Sequence, residues 1–317
     1  MVIKTLDVNE MYMYDELLET ASSSYIFQTR PYLTSLSLLG YDFEILGIFE
    51  NDNLKYALPV QKKKFTLINR YFYAIPYGVV SKEEIIPNEV VDNFINYLKK
   101  KGLVIKLSLN QKLENNQFKY KSMQTTLMLD LSKGLDEIFS NFSKTHRNCT
   151  RRAAKDGVVV TIEKNEEIIN EFLNLYQQMV DRKAIESLPV YFLSHVLKEL
   201  TFHNMGFFAV ARFNGVIHNI AFISTVGRKA RYLYGASLRT EEKVPPIGQF
   251  LHYEIIKYLI DKNFISYDFG GIPNPPVLET DSSYSVYKFK KGFGGEVKEL
   301  CYDYQYIKYK ILKLLIR

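Results

Sequence analysis

The stretch Gly206–Leu238, GFFAVARFNGVIHNIAFISTVGRKARYLYGASL, holds three runs rich in β-branched and aromatic residues, separated by Asn214-Gly215 and by Gly227-Arg228-Lys229. Asn-Gly between two such runs is a strong short-range signal for a tight hairpin turn, so the stretch predicts a three-stranded antiparallel meander. Its flanks decide the fold class. Upstream, NEEIINEFLNLYQQMV sets Ile168, Phe172, Leu175, Tyr176 and Met179 on one helical face, and YFLSHVLKEL gives a second helix. Downstream, GQFLHYEIIKYLIDKN turns Phe250, Leu251, Ile255, Tyr258 and Leu259 to one side of a helix, and FISYDFGG reads as a strand ending in a glycine turn. The order is helix, helix, meander, helix, strand.

The first half of the chain repeats that order with little residue identity. After an opening helix, DFEILGIFE and LKYALPVQ flank the turn-forming Asn51-Asp52-Asn53 as a hairpin. RYFYAIPYGVV is aromatic and β-branched with a Pro-Tyr-Gly corner. NEVVDNFINYLKKKG then repeats Val91, Phe94, Ile95 and Leu98 at helical spacing, with Gly102 as its expected C-cap, and LVIKLSLN follows as a strand. A chain of 317 residues with 47% hydrophobic content exceeds what one core usually holds. A duplicated α/β (α+β) domain, with mixed central sheets flanked by helices, is the simplest reading. The domains are expected at 1–143 and 144–303, joined near LDEIFSNFSKTHRNCTRRAAKDG, read as one helix with a basic second half. The C-terminal segment 304–317 reads as a short basic amphipathic helix that packs back on the first domain or touches a membrane face.

The 41 basic and 35 acidic residues sum to +6, so the location of the positive charge matters more than its total. It gathers at 61–65, 98–102, 145–155 and 287–291. Arg147, Arg151, Arg152 and Lys155 recur at helical steps and form one basic stripe, suited to phosphates of tRNA or of a nucleotide-sugar; a solvated helix face is the other reading. Two cysteines without a CxxC or Cys/His arrangement and five scattered histidines point to a reducing compartment and no structural metal. The N-terminus lacks the apolar core of a signal peptide, and no run approaches eighteen apolar residues. The expectation is a cytoplasmic protein, acting in solution or at the inner face of the membrane. Neither GxxxxGK(S/T) nor GxGxxG occurs between a strand and a helix, and GxSxG is absent, so these phosphate cradles and a serine nucleophile elbow lack support.

TTLMLDLSKGLDEIFSNFSKTHRNCTRRAAKDGVVV, then YLYGAS, then YDFGG, then FKKGFGG resemble, in order and spacing, the FemABX family of peptidoglycan-precursor aminoacyltransferases. The BioF2-like acyltransferases of the GNAT superfamily are similar. The resemblance implies two tandem GNAT-like domains, here with no coiled-coil arm. It implies transfer of an aminoacyl group from aminoacyl-tRNA to an amine of a nucleotide- or lipid-linked cell-envelope precursor, with no permanently bound cofactor. An acyl-CoA-dependent N-acyltransferase acting on an amino sugar keeps the fold and changes the donor. A non-catalytic tRNA- or phosphate-binding module is a third reading.

The family's Phe-Lys pair falls on Phe289 and Lys290, where a fixed ammonium opposes the charge of acyl transfer; Lys288 and Lys291 compete for that role. Arg182 corresponds to a diphosphate-binding arginine. Tyr232 and Tyr234 match a Tyr-x-Tyr strand lining the substrate channel, and period two sends both rings to one face. Tyr73 and Tyr77, around Pro76, match positions near the peptide stem, although the acidic residue expected soon after that corner is absent. Asp268 is expected to orient a backbone turn or a substrate hydroxyl. RTEEKVPPIGQF replaces the pyrophosphate loop of acetyl-CoA-dependent GNAT enzymes.

Overall fold

The computed structural model describes residues 1–65, 69–115, 117–183 and 187–309. It divides into two compact units, Met1–Gln124 with the chain from Glu299 on, and Thr125–Lys298. In the first unit, β1 (Lys4–Thr5), α1 (Met11–Thr20) and α2 (Arg30–Ser35) precede the hairpin β2 (Asp42–Glu50) and β3 (Asn53–Lys64). Asn51 and Asp52 both take positive φ, 50° and 63°, as the two-residue turn that pairs Glu50 with Asn53 requires. β4 (Tyr71–Ile75), α3 (Asn88–Lys99) and β5 (Gly102–Leu109) follow, with β4 and β5 parallel, the arrangement a crossover helix permits. α3 buries Val90, Val91, Phe94, Ile95 and Leu98. Gly102 is no helix cap: it opens β5, and a Cβ there would lie 2.9 Å from the Leu98 carbonyl oxygen.

The second unit begins within β6 (Lys119–Asp130) and continues through α4 (Leu135–Asn141), α5 (Lys144–Lys155), β7 (Val159–Glu163), α6 (Glu166–Lys183) and α7 (Val190–Phe202). The meander is β8 (Gly206–Phe213), β9 (Val216–Val226) and β10 (Lys229–Ser237), then come α8 (Ile247–Asp261), β11 (Ser266–Ile272), α9 (Tyr284–Lys291) and β12 (Glu296–Ile307). Asn214 and Gly215 take φ of 50° and 79° in the first turn of the meander, and Gly227 takes 54° in the second. The second-unit strands run in the order β6, β11, β10, β9, β8, β7, and β10 with β11 is the parallel pair, joined by α8. Adjacent residues of β8 show the two layers. Phe207 meets Tyr258 of α8 at 4.9 Å between ring centroids, whereas Phe208 meets Phe172 of α6 at 5.6 Å. Alternate side chains of a strand face opposite sides, so α6 and α8 cover opposite faces.

Three expectations are corrected. The units divide at Gln124 and Lys298, not at 143 and 303. Leu127, Leu129, Leu131, Ile138 and Phe142 pack into the second core, while Tyr302 and Tyr304 pack into the first. The junction segment is two helices, because Phe142 and Ser143 are extended, and the Ser143 hydroxyl accepts from the His146 amide as the N-cap of α5. Finally, Tyr304–Ile307 continues β12 in register with β5 (Ile307 opposite Val104) rather than starting a helix; 310–317 lie outside the described residues.

Candidate functional site

The opening geometry is a fork in the second sheet. β10 and β11 pair in parallel only at Lys229 with Ser266, Ala230 with Tyr267 and Arg231 with Asp268. A bulge then interrupts the β11 register between Asp268 and Gly271. Asp268 is 4% exposed and its Oδ1 accepts from the Gly270 amide at 2.7 Å and from the Thr126 hydroxyl. Its Oδ2 lies 3.3 Å from the Arg231 guanidinium. The carboxylate therefore holds a turn in which Gly270 takes φ 77°, a conformation side chains other than glycine rarely adopt. Of the two roles expected for Asp268, the backbone turn is the one these contacts supply.

That turn presents the Gly271 carbonyl oxygen to Lys290 Nζ at 2.8 Å. Lys290 lies in the last turn of α9 with Lys288 and Lys291, where cations favourably meet the helix C-terminal dipole. Burial pushes its ammonium down to about 8, with the Arg231 charge acting the same way and the Asp268 carboxylate opposing both. Lys288 is exposed, and Lys291 donates to the Gly295 carbonyl at 3.3 Å. Neither competitor reaches the fork through these contacts.

α9 is fastened by His146, a buried residue of α5. Its Nε2–H donates to the Phe289 carbonyl at 2.9 Å, and its Nδ1 accepts from the Ser143 hydroxyl at 3.1 Å. Burial pushes this imidazole down from its ordinary value, consistent with the neutral form that one donor and one acceptor require. Gly292 makes room for it: a Cβ there would stand 2.1 Å from the His146 ring. Phe293, fully buried, then lies edge-on to His146 at 4.6 Å and stacks on Phe269 at 4.8 Å.

Phe289 faces the other way, into a cleft of about 180 Å³ that it lines with Tyr232, Asn219, Leu251 and His252. His252 of α8 is 3% exposed and its ring lies within 4.9–6.1 Å of the rings of Tyr232, Tyr267, Phe269, Phe289 and Phe293. Burial, and then the charge of Lys290, push it down to about 3. Tyr232 is pushed up to about 12 by burial. The expectation that Tyr232 and Tyr234 share a face is overturned: the register between β10 and β9 slips between them. Tyr232 therefore meets His252 on the α8 side, whereas Tyr234 meets Tyr176 of α6 at 6.5 Å. A bulge inserts one residue and reverses the alternation beyond it.

The other sequence-derived residues lie elsewhere. Arg182 is exposed near the end of α6. Arg147 donates to the carbonyls of Ser140, at 2.9 Å, and Phe142, closing the C-terminus of α4. Arg151 lies over the Phe139 ring at 5.4 Å and Arg152 pairs with Asp156 at 3.3 Å; Lys155 is exposed. Tyr73 belongs to the first unit's core, stacked on Tyr71, and its hydroxyl is pushed above the ordinary range by burial. Tyr77, at φ 57°, stacks between Tyr25 and Phe27 in the same unit. His146, His252 and Arg231 were missed by motif reading. The one signal for His252 was its place among the inward residues of FLHYEII. Among the described residues no group of three or more His, Cys, Asp or Glu could hold a metal, and no helix is long and apolar enough to cross a membrane.

Residues 140–288 match the acetyltransferase (GNAT) domain family. Over 93 residues the chain is 31% identical to the lipid II:glycine glycyltransferase of Staphylococcus aureus, a match spanning 29% of this chain and 22% of the relative. The chain thus spans about a fifth of the length of the curated relatives it matches. In three dimensions it resembles FemX with a TM-score of 0.84 at 17% identity, over the whole of both chains. It also resembles a tandem GNAT protein from the clavulanic acid biosynthesis pathway, with a TM-score of 0.57 at 7% identity over 96% of this chain and 97% of the other. Two tandem GNAT-like domains, expected from the sequence, are the fold.

Proposed function

We propose that this chain, which carries a GNAT acetyltransferase domain in the two-domain fold of FemX, is an aminoacyltransferase: it moves an aminoacyl group from the ester of an aminoacyl-tRNA to an amine of a lipid- or nucleotide-linked cell-wall precursor. The observation that carries this reading is Lys290, an ammonium held by the Gly270-Gly271 turn at the fork of β10 and β11, directly after the cleft residue Phe289. The 31% identity over 93 residues to a lipid II:glycine glycyltransferase supports an aminoacyl group as the cargo and a lipid-linked precursor as acceptor.

In the reaction the acceptor amine attacks the ester carbonyl carbon and the carbonyl π pair moves to oxygen. Collapse then breaks the C–O bond, and the departing alkoxide takes up the proton released by the attacking nitrogen. Negative charge builds on oxygen throughout, and a fixed cation in a partly dry site is worth about 3 kcal/mol or more against it. Lys290 supplies that cation, and with a pKa of about 8 it remains charged at neutral pH. Asp268 and Arg231 hold the turn that holds Lys290.

The GNAT family match favours a second reading, an acyl-CoA donor; against it, α8 begins after KVPP rather than a glycine-rich pyrophosphate loop. Incubation of the purified protein with glycyl-tRNA and lipid II, or with acetyl-CoA and an amino sugar, separates the two. The proposal expects transfer in the first mixture that stops on adding RNase. Transfer only in the second, unaffected by RNase, would replace it.

A further inference from the structure

We propose that His252 donates an N–H hydrogen bond from Nε2 to the carbonyl oxygen of the acyl group under transfer, seated in the cleft beneath Phe289. This deepens the acyl-transfer reading and rests on it. The first support is the hydroxyl of Tyr267. That residue is fully buried, and its partner is His252 Nδ1 at 2.9 Å. A phenol hydroxyl buried among Phe269 and Tyr232 would leave its proton unpaired if it accepted from Nδ1–H, and an unmade buried hydrogen bond is destabilising. The Tyr267 hydroxyl therefore donates to Nδ1, and the one remaining imidazole hydrogen is fixed on Nε2.

The second support is position. Among the described residues Nε2 meets no hydrogen-bond partner, and His252 forms part of the cleft wall together with Tyr232, Leu251 and Phe289. The aromatic rings around it leave the imidazole one orientation, so the donor is set in place before a ligand arrives. A cleft of about 180 Å³ holds the volume of roughly six liquid waters, enough for the acyl part of a small amino acid and too small for a nucleotide. The wall is mixed: Leu251, Ile220, Met179 and Phe289 supply apolar side chains, and Asn219, Ser237, Tyr232 and His252 supply polar groups. The charge of Lys290 acts on the same imidazole and opposes its protonation. His252 is thereby a neutral donor, which stabilises a developing oxyanion in the cleft without adding a second buried charge. In the step already written, the electron pair arriving on the carbonyl oxygen strengthens the Nε2–H bond, and no proton leaves His252.

Two readouts test this. Nitrogen-15 NMR of histidine-labelled protein, with His252 assigned by its loss in His252→Gln, is expected to show the Nε2-protonated tautomer; an Nδ1-protonated ring overturns the proposal. In the glycyl-transfer assay His252→Phe, which keeps an aromatic ring and removes the donor, is expected to lower kcat about 10²–10³-fold with the acceptor KM within twofold. His252→Gln, which restores an N–H, is expected to recover at least tenfold. Undiminished kcat in His252→Phe overturns the proposal. Should that variant not fold, Tyr267→Phe serves: it frees Nδ1, so a mixed tautomer signal and a several-fold lower kcat are expected, and an unchanged tautomer with unchanged kcat contradicts it. Wild-type protein that transfers nothing would remove the acyl-transfer reading, whereas the tautomer measurement reports on His252 independently of activity.

Discussion

Lys290→Met should make the protein more stable near neutral pH while removing its activity. The free amine's ordinary value of 10.5 falls to about 8 in the fold, a difference of about 2.5 units, or about 3 kcal/mol by the proton-linkage conversion. The side chain is half-buried, and solvent screening reduces this to about 2 kcal/mol. Replacing Lys290 also removes its hydrogen bond to the Gly271 carbonyl, worth about 1 kcal/mol. The variant should therefore be about 1 kcal/mol more stable than wild type at pH 7. The sign with pH follows from proton counting. Between about 8 and 10.5 the unfolded lysine holds its proton and the folded one has released it, so wild-type stability rises with pH across that window relative to the variant. Paired urea denaturation at pH 7, 8.5 and 10.5 should show the variant's advantage shrink and reverse to about 1 kcal/mol in favour of wild type. A variant that is less stable at every pH by a constant amount would refute the reasoning and make Lys290 a structural residue.

Asp268→Asn removes the charge that faces the Arg231 guanidinium and that accepts from the Gly270 amide, and a hydrogen bond to a charged group is worth about 1.5–3 kcal/mol; thermal denaturation is expected to show that loss. Gly292→Ala keeps an allowed backbone, φ −60°, yet drives a methyl into the His146 ring. A loss of about 2 kcal/mol is expected, largely restored in His146→Ala, so a double-mutant cycle by urea denaturation should give a coupling above about 1 kcal/mol. With Lys290 acting as a cation, kcat should fall as pH rises through about 8, and Lys290→Arg should move that falling limb beyond pH 9.

The fold was legible where turn chemistry and period agreed. Asn214-Gly215 and Asn51-Asp52 take positive φ, and the β-branched and aromatic runs beside them pair as antiparallel strands. The slip between Tyr232 and Tyr234 was not legible, since a bulge leaves no mark in a run of residues that all favour strands. Residues 304–307 misled because Tyr302, Tyr304 and Tyr306, a period-two aromatic row, overlap a segment whose charges repeat at helical spacing. The unit boundary misled because α4 looks like the start of a linker helix, and only packing shows Ile138 and Phe142 in the second core. At the site, the Phe-Lys pair and Asp268 stand in recognisable motifs. His146 and His252 act through contacts with residues 143 and 15 positions away in sequence, which no local pattern encodes. The basic stripe of α5 was legible as charge, but its arginines divide among a helix end, an aromatic ring and an ion pair.

The most direct measurement is a single-turnover assay of glycyl transfer from glycyl-tRNA to lipid II, read by mass spectrometry of the acceptor, with wild type and Lys290→Met side by side. One added glycyl group per acceptor amine in the wild type, abolished by RNase and reduced at least 10²-fold in a folded Lys290→Met, is the expected result. Equal transfer by the two proteins would contradict the role assigned to Lys290 and to the turn that holds it.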